Sequence, residues 1–333
     1  MTPTPMLTPL TGGPARPVPL PRARRALRVL AVVSCLPYLA LKVVWISGGH
    51  LGIPAESVLL ARPGIMAALN GLTVLMDVCV IVLALLLTQR WGRRVPAVLL
   101  ALPMWVATGL LAPIATAFPV QMLADAFSGG GPATANQGRF LDEWVFGVVY
   151  GGFALQAVAL GGLFVPYAKE RWGHLWQGRV GGLAPRAAGV RTAALGVAAL
   201  AVAVAVPLVL RAAGAGAEFT LADGASGREA LSADARIVSW AHAGFALLAA
   251  GGLLVPALRL GRGLPLKVPL AAAWVGSGVL GGWGAWLVLS CLVGGYDGTR
   301  PPMSLTLTYA VQMITGFLAL GCTAALVLRR RTP

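Results

Sequence analysis

Eight apolar runs constrain this chain more than any other feature; they lie at approximately 27–47, 66–88, 96–118, 144–167, 191–211, 237–258, 269–291 and 305–328. Each supplies the ~20 residues an α-helix needs to cross a hydrocarbon core of about 30 Å. At that depth no water is available to backbone amides, so an uninterrupted apolar run satisfies its own polar groups by becoming a helix. Composition agrees: 11% of the 333 residues are charged and 57% are hydrophobic, whereas soluble domains carry roughly 25% charged residues. The expected fold class is an all-α membrane protein with eight transmembrane helices, and the lipid bilayer is its first expected partner.

A net charge of +15 would point to nucleic acid in a soluble chain. Here the basic residues sit in short segments between apolar runs, the pattern that sets membrane orientation, and no nucleic-acid partner is expected. Alternate segments are the N-terminal tail, 89–95, 168–191, 259–268 and Arg329-Arg330-Arg331. Counting Arg28, they hold 19 of the 26 Lys and Arg residues and a single acid, Glu170. The opposite segments hold six arginines and nine acids. This asymmetry predicts a multi-pass protein of the cell (plasma) membrane with both termini cytoplasmic. Residues 1–26 carry seven prolines and no apolar periodicity, and read as a disordered cytoplasmic tail. The run that follows is long and lacks a small-x-small cleavage site, so it reads as a retained anchor.

The order of runs and loops repeats. Helices two and three overlay on six and seven with a shift near 172, which sets Asn70 against His242; helices four and eight overlay at 159, through Tyr150 and Tyr309. Two tandem parallel four-helix units are predicted, 27–172 and 191–328, with a cytoplasmic linker at 173–190 and a basic cytoplasmic end at 329–333. Four spans per unit make the repeats parallel, which disfavours transporter folds built from inverted repeats and broken helices. After the first span the chain reads Trp45-Ile46-Ser47-Gly48-Gly49-His50-Leu51-Gly52. This Trp-x-x-Gly-Gly-x-x-Gly corner resembles small four-helix bacterial integral membrane proteins of actinobacterial type, whose function is unknown. The resemblance implies a duplicated version of that fold and implies no activity, so no catalytic residue follows from it. From their spacing alone, Gly48 and Gly49 read as a tight turn off the first helix.

Two acid/base side chains fall well inside apolar runs, Lys42 and Asp77, and charges at membrane depth mark candidate functional sites. At ~1.5 Å of rise per residue, Lys42 lies roughly 8 Å below the outer boundary and Asp77 near the midplane. Lys42 is expected to snorkel outward, with an ion pair to Asp77 as the alternative. A carboxylate at the midplane cannot snorkel; it is protonated, paired or turned to a polar cavity. Asn70, His242, Tyr150, Tyr309 and Gln312 share the depth of Lys42, and Gln156 lies deeper. With Lys42 and Asp77 they form a candidate intramembrane polar site, which would open outward if the two units face each other. An interhelical hydrogen bond is the plainer role for each.

Other chemistry finds little support. Cys35, Cys79, Cys291 and Cys322 show no C-x-x-C pairing and read as buried thiols. Of the three histidines, His50, His174 and His242, only the last lies in a span, so no pair can sandwich a haem iron. No metal site and no cofactor are expected. The Gly276-Ser277-Gly278 sequence invites a serine-protease reading, but Ser277 and His242 differ in depth by about 10 Å, too far for a hydrogen bond. Helix packing through small residues explains the glycines better. The function expected is a structural, accessory or sensory membrane component, acting with another membrane protein or a small-molecule ligand. A small-molecule or ion transporter, proton-coupled through Asp77, is the alternative; an intramembrane enzyme acting on a lipid or quinone is the second. The enzyme reading is disfavoured because no nucleophile or acid/base pair is recognisable.

Overall fold

Every apolar run forms a helix in the computed structural model, which describes residues 21–128, 141–183, 188–214, 232–293 and 303–328. The first span is a helix pair, α1 (Arg22–Val33) and α2 (Leu36–Ile46). It is followed by α3 (Pro63–Thr88), α4 (Ala97–Ser128), α5 (Glu143–Trp172), α6 (Ala188–Ala212), α7 (Ala233–Leu258), α8 (Lys267–Val293) and α9 (Met303–Leu328). Eight segments among the described residues are long and apolar enough to cross a membrane.

Three features depart from the expected boundaries. The first span breaks at Ser34-Cys35, because Pro37 occupies the first turn of α2 and its ring excludes an unbroken helix through that point. The arginines at 22, 24 and 25 belong to α1 and not to a disordered tail; residues 1–20 and 329–333 lie outside the described residues. Third, α4 continues to Ser128, ten residues past the expected end, through Pro103, Pro113 and Pro119. A membrane helix tolerates proline because neighbouring helices shield the freed carbonyls, whereas ending the helix would leave a whole turn unsatisfied. The expected loop at 119–143 is shortened accordingly. Its stretch 129–140, like 215–231 and 294–302, lies outside the described residues.

In the first half, α1 packs on α3 and α5, α2 packs on α3 and α5, and α4 packs on α5 and α3. In the second half, α6 packs on α7, α7 on α8, α8 on α9, and α9 returns to α6. The halves meet where α4 lies against α8 and α7. The composition of α8 makes this possible. A Cβ on Gly276 would strike the α7 backbone at Ala249, and one on Gly284 the α9 backbone at Met313. On the face toward α4, a Cβ on Gly109 would strike the Gly278 carbonyl and one on Gly281 the Trp105 ring. Small residues let backbones approach where lipid supplies no hydrophobic drive for association. Gly282, paired with Gly278 in the expected packing motif, makes only ordinary contact with Leu110.

The arginine-rich end is tied by polar contacts. Glu170 accepts from Arg24 of α1 and, at 2.8 Å, from Arg93 of the turn Arg90–Arg94. Arg171 donates to the Val95 carbonyl at 2.6 Å and to the Gly92 carbonyl at 3.2 Å. In the other half, Arg259 donates to the Gly181 carbonyl at 2.7 Å and holds the segment after α5 against the turn after α7.

Candidate functional site

The corner after α2 behaves as a turn. Gly48 and Gly52 have φ of 88° and 73°, a region open to glycine and strained for other residues. Trp45 donates from Nε1 to the Leu51 carbonyl at 2.7 Å and is buried. Gly52 also presses on Val145 and Trp144, leaving no room for a side chain. The corner fixes the angle at which α2 meets α3 and α5.

That angle brings a set of polar side chains together inside the first half, in two rungs. The upper rung is Lys42 and Asn70, each 6% exposed. Lys42 Nζ donates to Asn70 Oδ1 at 2.6 Å. The ammonium also lies over the Tyr38 ring at 4.4 Å from its centroid and over the Trp45 ring at 4.8 Å. Tyr38 and Trp45 precede and follow Lys42 at helical spacing, so one face of α2 carries both aromatic faces and the cation. A desolvated cation–π contact stabilises by about 2 kcal/mol. Lys42 therefore does not snorkel. It reaches sideways, because an amide and two aromatic faces take the place of water.

The lower rung is Asp77, Gln156 and Cys35. Asp77 is 2% exposed and Gln156 1%. Gln156 Nε2 donates to Asp77 Oδ1 at 3.1 Å and to Cys35 Sγ at 3.4 Å. The Cys35 thiol donates in turn to the Ala31 carbonyl at 3.1 Å. Asn70 and Asp77 are seven residues apart on α3, about two turns, so they share one face of the helix. No ion pair joins Lys42 to Asp77. Three buried atoms of the rungs remain without a partner: Asn70 Nδ2, Asp77 Oδ2 and Gln156 Oε1.

The other candidate residues go elsewhere. Tyr150 sits among Phe118, Phe146 and Phe153, and Phe153 meets Tyr38 edge-on at 5.3 Å, so Tyr150 joins the upper rung only through rings. His242 lies on α7 in the second half, with its ring against Trp283 and Nδ1 2.9 Å from the Val238 carbonyl, which makes Nδ1 the donor. Tyr309 and Gln312 lie on α9, also in the second half. Ser277 is fully buried at the α4–α8 contact, accepts from Trp105 Nε1 at 3.0 Å and donates to the Trp274 carbonyl at 3.1 Å. A hydroxyl so engaged is a packing element and not a nucleophile.

Sequence reasoning missed Tyr38 and Cys35. The i, i+4 spacing of Tyr38 and Lys42 was a readable signal. The part played by Cys35 depends on the Pro37 break, whose angle no spacing rule supplies. All four cysteines are free, but Cys79 is exposed on the outer face of α3, contrary to the expectation of burial. No group of three or more His, Cys, Asp or Glu residues suited to a metal occurs among the described residues. A cavity of about 90 Å³ between α4 and α5, bordered by Met104, Ala107, Leu111 and Leu160, includes neither rung.

Fold and site together define an all-α, multi-pass membrane protein with a buried polar core between its first, second and fourth spans. Comparison with protein-family models, with curated proteins and with solved structures finds no match.

Proposed function

We propose that this protein is a non-catalytic component of the cell membrane, structural, accessory or sensory in kind, whose first half is a closed polar core and not a conduction path. The observation that carries this reading is the apolar packing on both sides of the rungs. Toward the Gly48 corner, Ile53, Met66 and Val145 pack together with Trp45 beyond Lys42 and Asn70. Toward the arginine-rich end, Ala31, Val80, Leu83, Leu160 and Leu163 pack together below Asp77 and Gln156. A transport route needs water or polar groups along its length, and these two clusters supply neither.

The test is reconstitution into liposomes loaded with a pH-sensitive dye, with a proton gradient imposed across the bilayer. The wild-type protein is expected to dissipate the gradient no faster than protein-free liposomes, and Asp77→Asn to behave identically. Proton flux that the wild type supports and Asp77→Asn abolishes would instead assign the protein to proton-coupled transport.

The arginine distribution supports an orientation with both termini in the cytoplasm. A green fluorescent protein fused after Pro333 should fluoresce in a bacterial host, and alkaline phosphatase at the same position should be inactive. Active phosphatase there would invert the topology.

A further inference from the structure

Two of the unpartnered buried atoms, Asp77 Oδ2 and Gln156 Oε1, belong to one hydrogen-bonded pair. Both are acceptors in the protonation state usual for an aspartate. The nearby donors are all engaged. The Gln156 amide uses its two hydrogens on Asp77 Oδ1 and Cys35 Sγ. The Cys35 thiol donates to the Ala31 carbonyl at 3.1 Å, with the Asp77 backbone oxygen a more distant acceptor at 4.0 Å, and the Lys42 ammonium is held by Asn70 and two aromatic rings.

One proton on Asp77 Oδ2 removes both defects. The acid O–H then donates to Gln156 Oε1 while Asp77 Oδ1 accepts from Gln156 Nε2, the two-point ring that a carboxylic acid forms with a primary amide. A carboxylate would leave Asp77 Oδ2 and Gln156 Oε1 unmatched and place a charge in a medium of low dielectric with no cation in contact. We infer that Asp77 holds a resident proton, and that the Asp77–Gln156 pair is a proton-binding site at mid-membrane depth. From the elements packed against α3, the titratable groups that face Asp77 are Lys42 of α2 and Cys35 at the α1–α2 joint; α5 brings the neutral amide. A neutral acid also accounts for the missing ion pair, since it offers Lys42 no charge to reach for. The inference concerns occupancy, not flux, and stands whichever way the liposome experiment falls.

Infrared difference spectra, wild type minus Asp77→Asn, test it on the full-length protein in lipid at neutral pH. Asparagine can form the same two-point ring with Gln156, so the variant should fold and unfold at the wild-type temperature. The expected spectrum contains a protonated-carboxyl stretch assigned to Asp77, shifted in Gln156→Leu and unchanged when sodium and potassium are replaced by choline. A carboxylate stretch in its place would overturn the inference, as would a carboxylate that becomes an acid only when metal cations are withdrawn. Should Asp77→Asn fail to fold, carbon-13 NMR of aspartate-labelled wild type gives the same reading. One side-chain carboxyl signal should lie at the acid position at neutral pH. If every signal lies at the carboxylate position, the inference fails.

Discussion

Replacing Gly109 with valine is expected to separate the two halves of the protein and to lower its unfolding temperature more than any other single change on α4. The Cβ position of residue 109 is occupied by the Gly278 carbonyl of α8. Backbone cannot rotate away as a flexible side chain can, so α4 has to move, and with it the Trp105–Ser277 hydrogen bond and the Trp105 ring that covers Gly281. Overpacking costs about 1–3 kcal/mol when side chains absorb it, and this site lies at or above the top of that range. Gly147→Ala on α5 is the matched control, since nothing lies near its Cβ position. Thermal unfolding in detergent, followed by loss of the monodisperse peak, should show a large drop for Gly109→Val and none for Gly147→Ala. Equal midpoints would mean that α4 and α8 are not in backbone contact.

The second large effect is expected at Asn70. Leucine there has similar volume but removes the oxygen that receives the Lys42 ammonium at 2.6 Å. A buried hydrogen-bonding group stripped of its partner costs about 1–3 kcal/mol, and more when it is charged. The two aromatic faces hold part of the charge, so the variant should fold but unfold earlier. Removing the cation as well should recover much of the loss: Lys42→Met with Asn70→Leu is expected to be more stable than Asn70→Leu alone. A double variant less stable than either single one would mean that Lys42 contributes through something other than Asn70.

The spans and the Gly48 corner were legible in the sequence because each depends on local quantities: run length and turn chemistry. The partner of Asp77 was half legible. Gln156 stood out as a polar residue deep in a run, but its meeting with Asp77 needs the packing of α5 on α3. Lys42 was misread because snorkelling is a property of a single helix end, whereas its actual environment is assembled from α2 and α3 together. The length of α4 was hidden by its three prolines, which stop helices in water and are tolerated in lipid. The glycines of α8 announced close packing, but nothing in the sequence said that Gly276, Gly278 and Gly284 serve three different neighbours. The candidate set that combined Lys42 and Asn70 with His242, Tyr309 and Gln312 rested on shared depth alone. Depth does not determine which half of the protein a residue occupies or which way its helix is turned.

The central claim is that Lys42 and Asp77 are held separately, each by an amide on a neighbouring helix, and do not form an ion pair. Two double-mutant cycles measured by unfolding in bicelles test it most directly, one on Lys42 with Asn70 and one on Lys42 with Asp77. The expected coupling for Lys42 and Asn70 is about 1.5 kcal/mol or more, as for a buried hydrogen bond to a charged group. For Lys42 and Asp77 it should fall within the ~0.5 kcal/mol seen for independent sites. A Lys42–Asp77 coupling larger than that of Lys42 with Asn70 would contradict the claim.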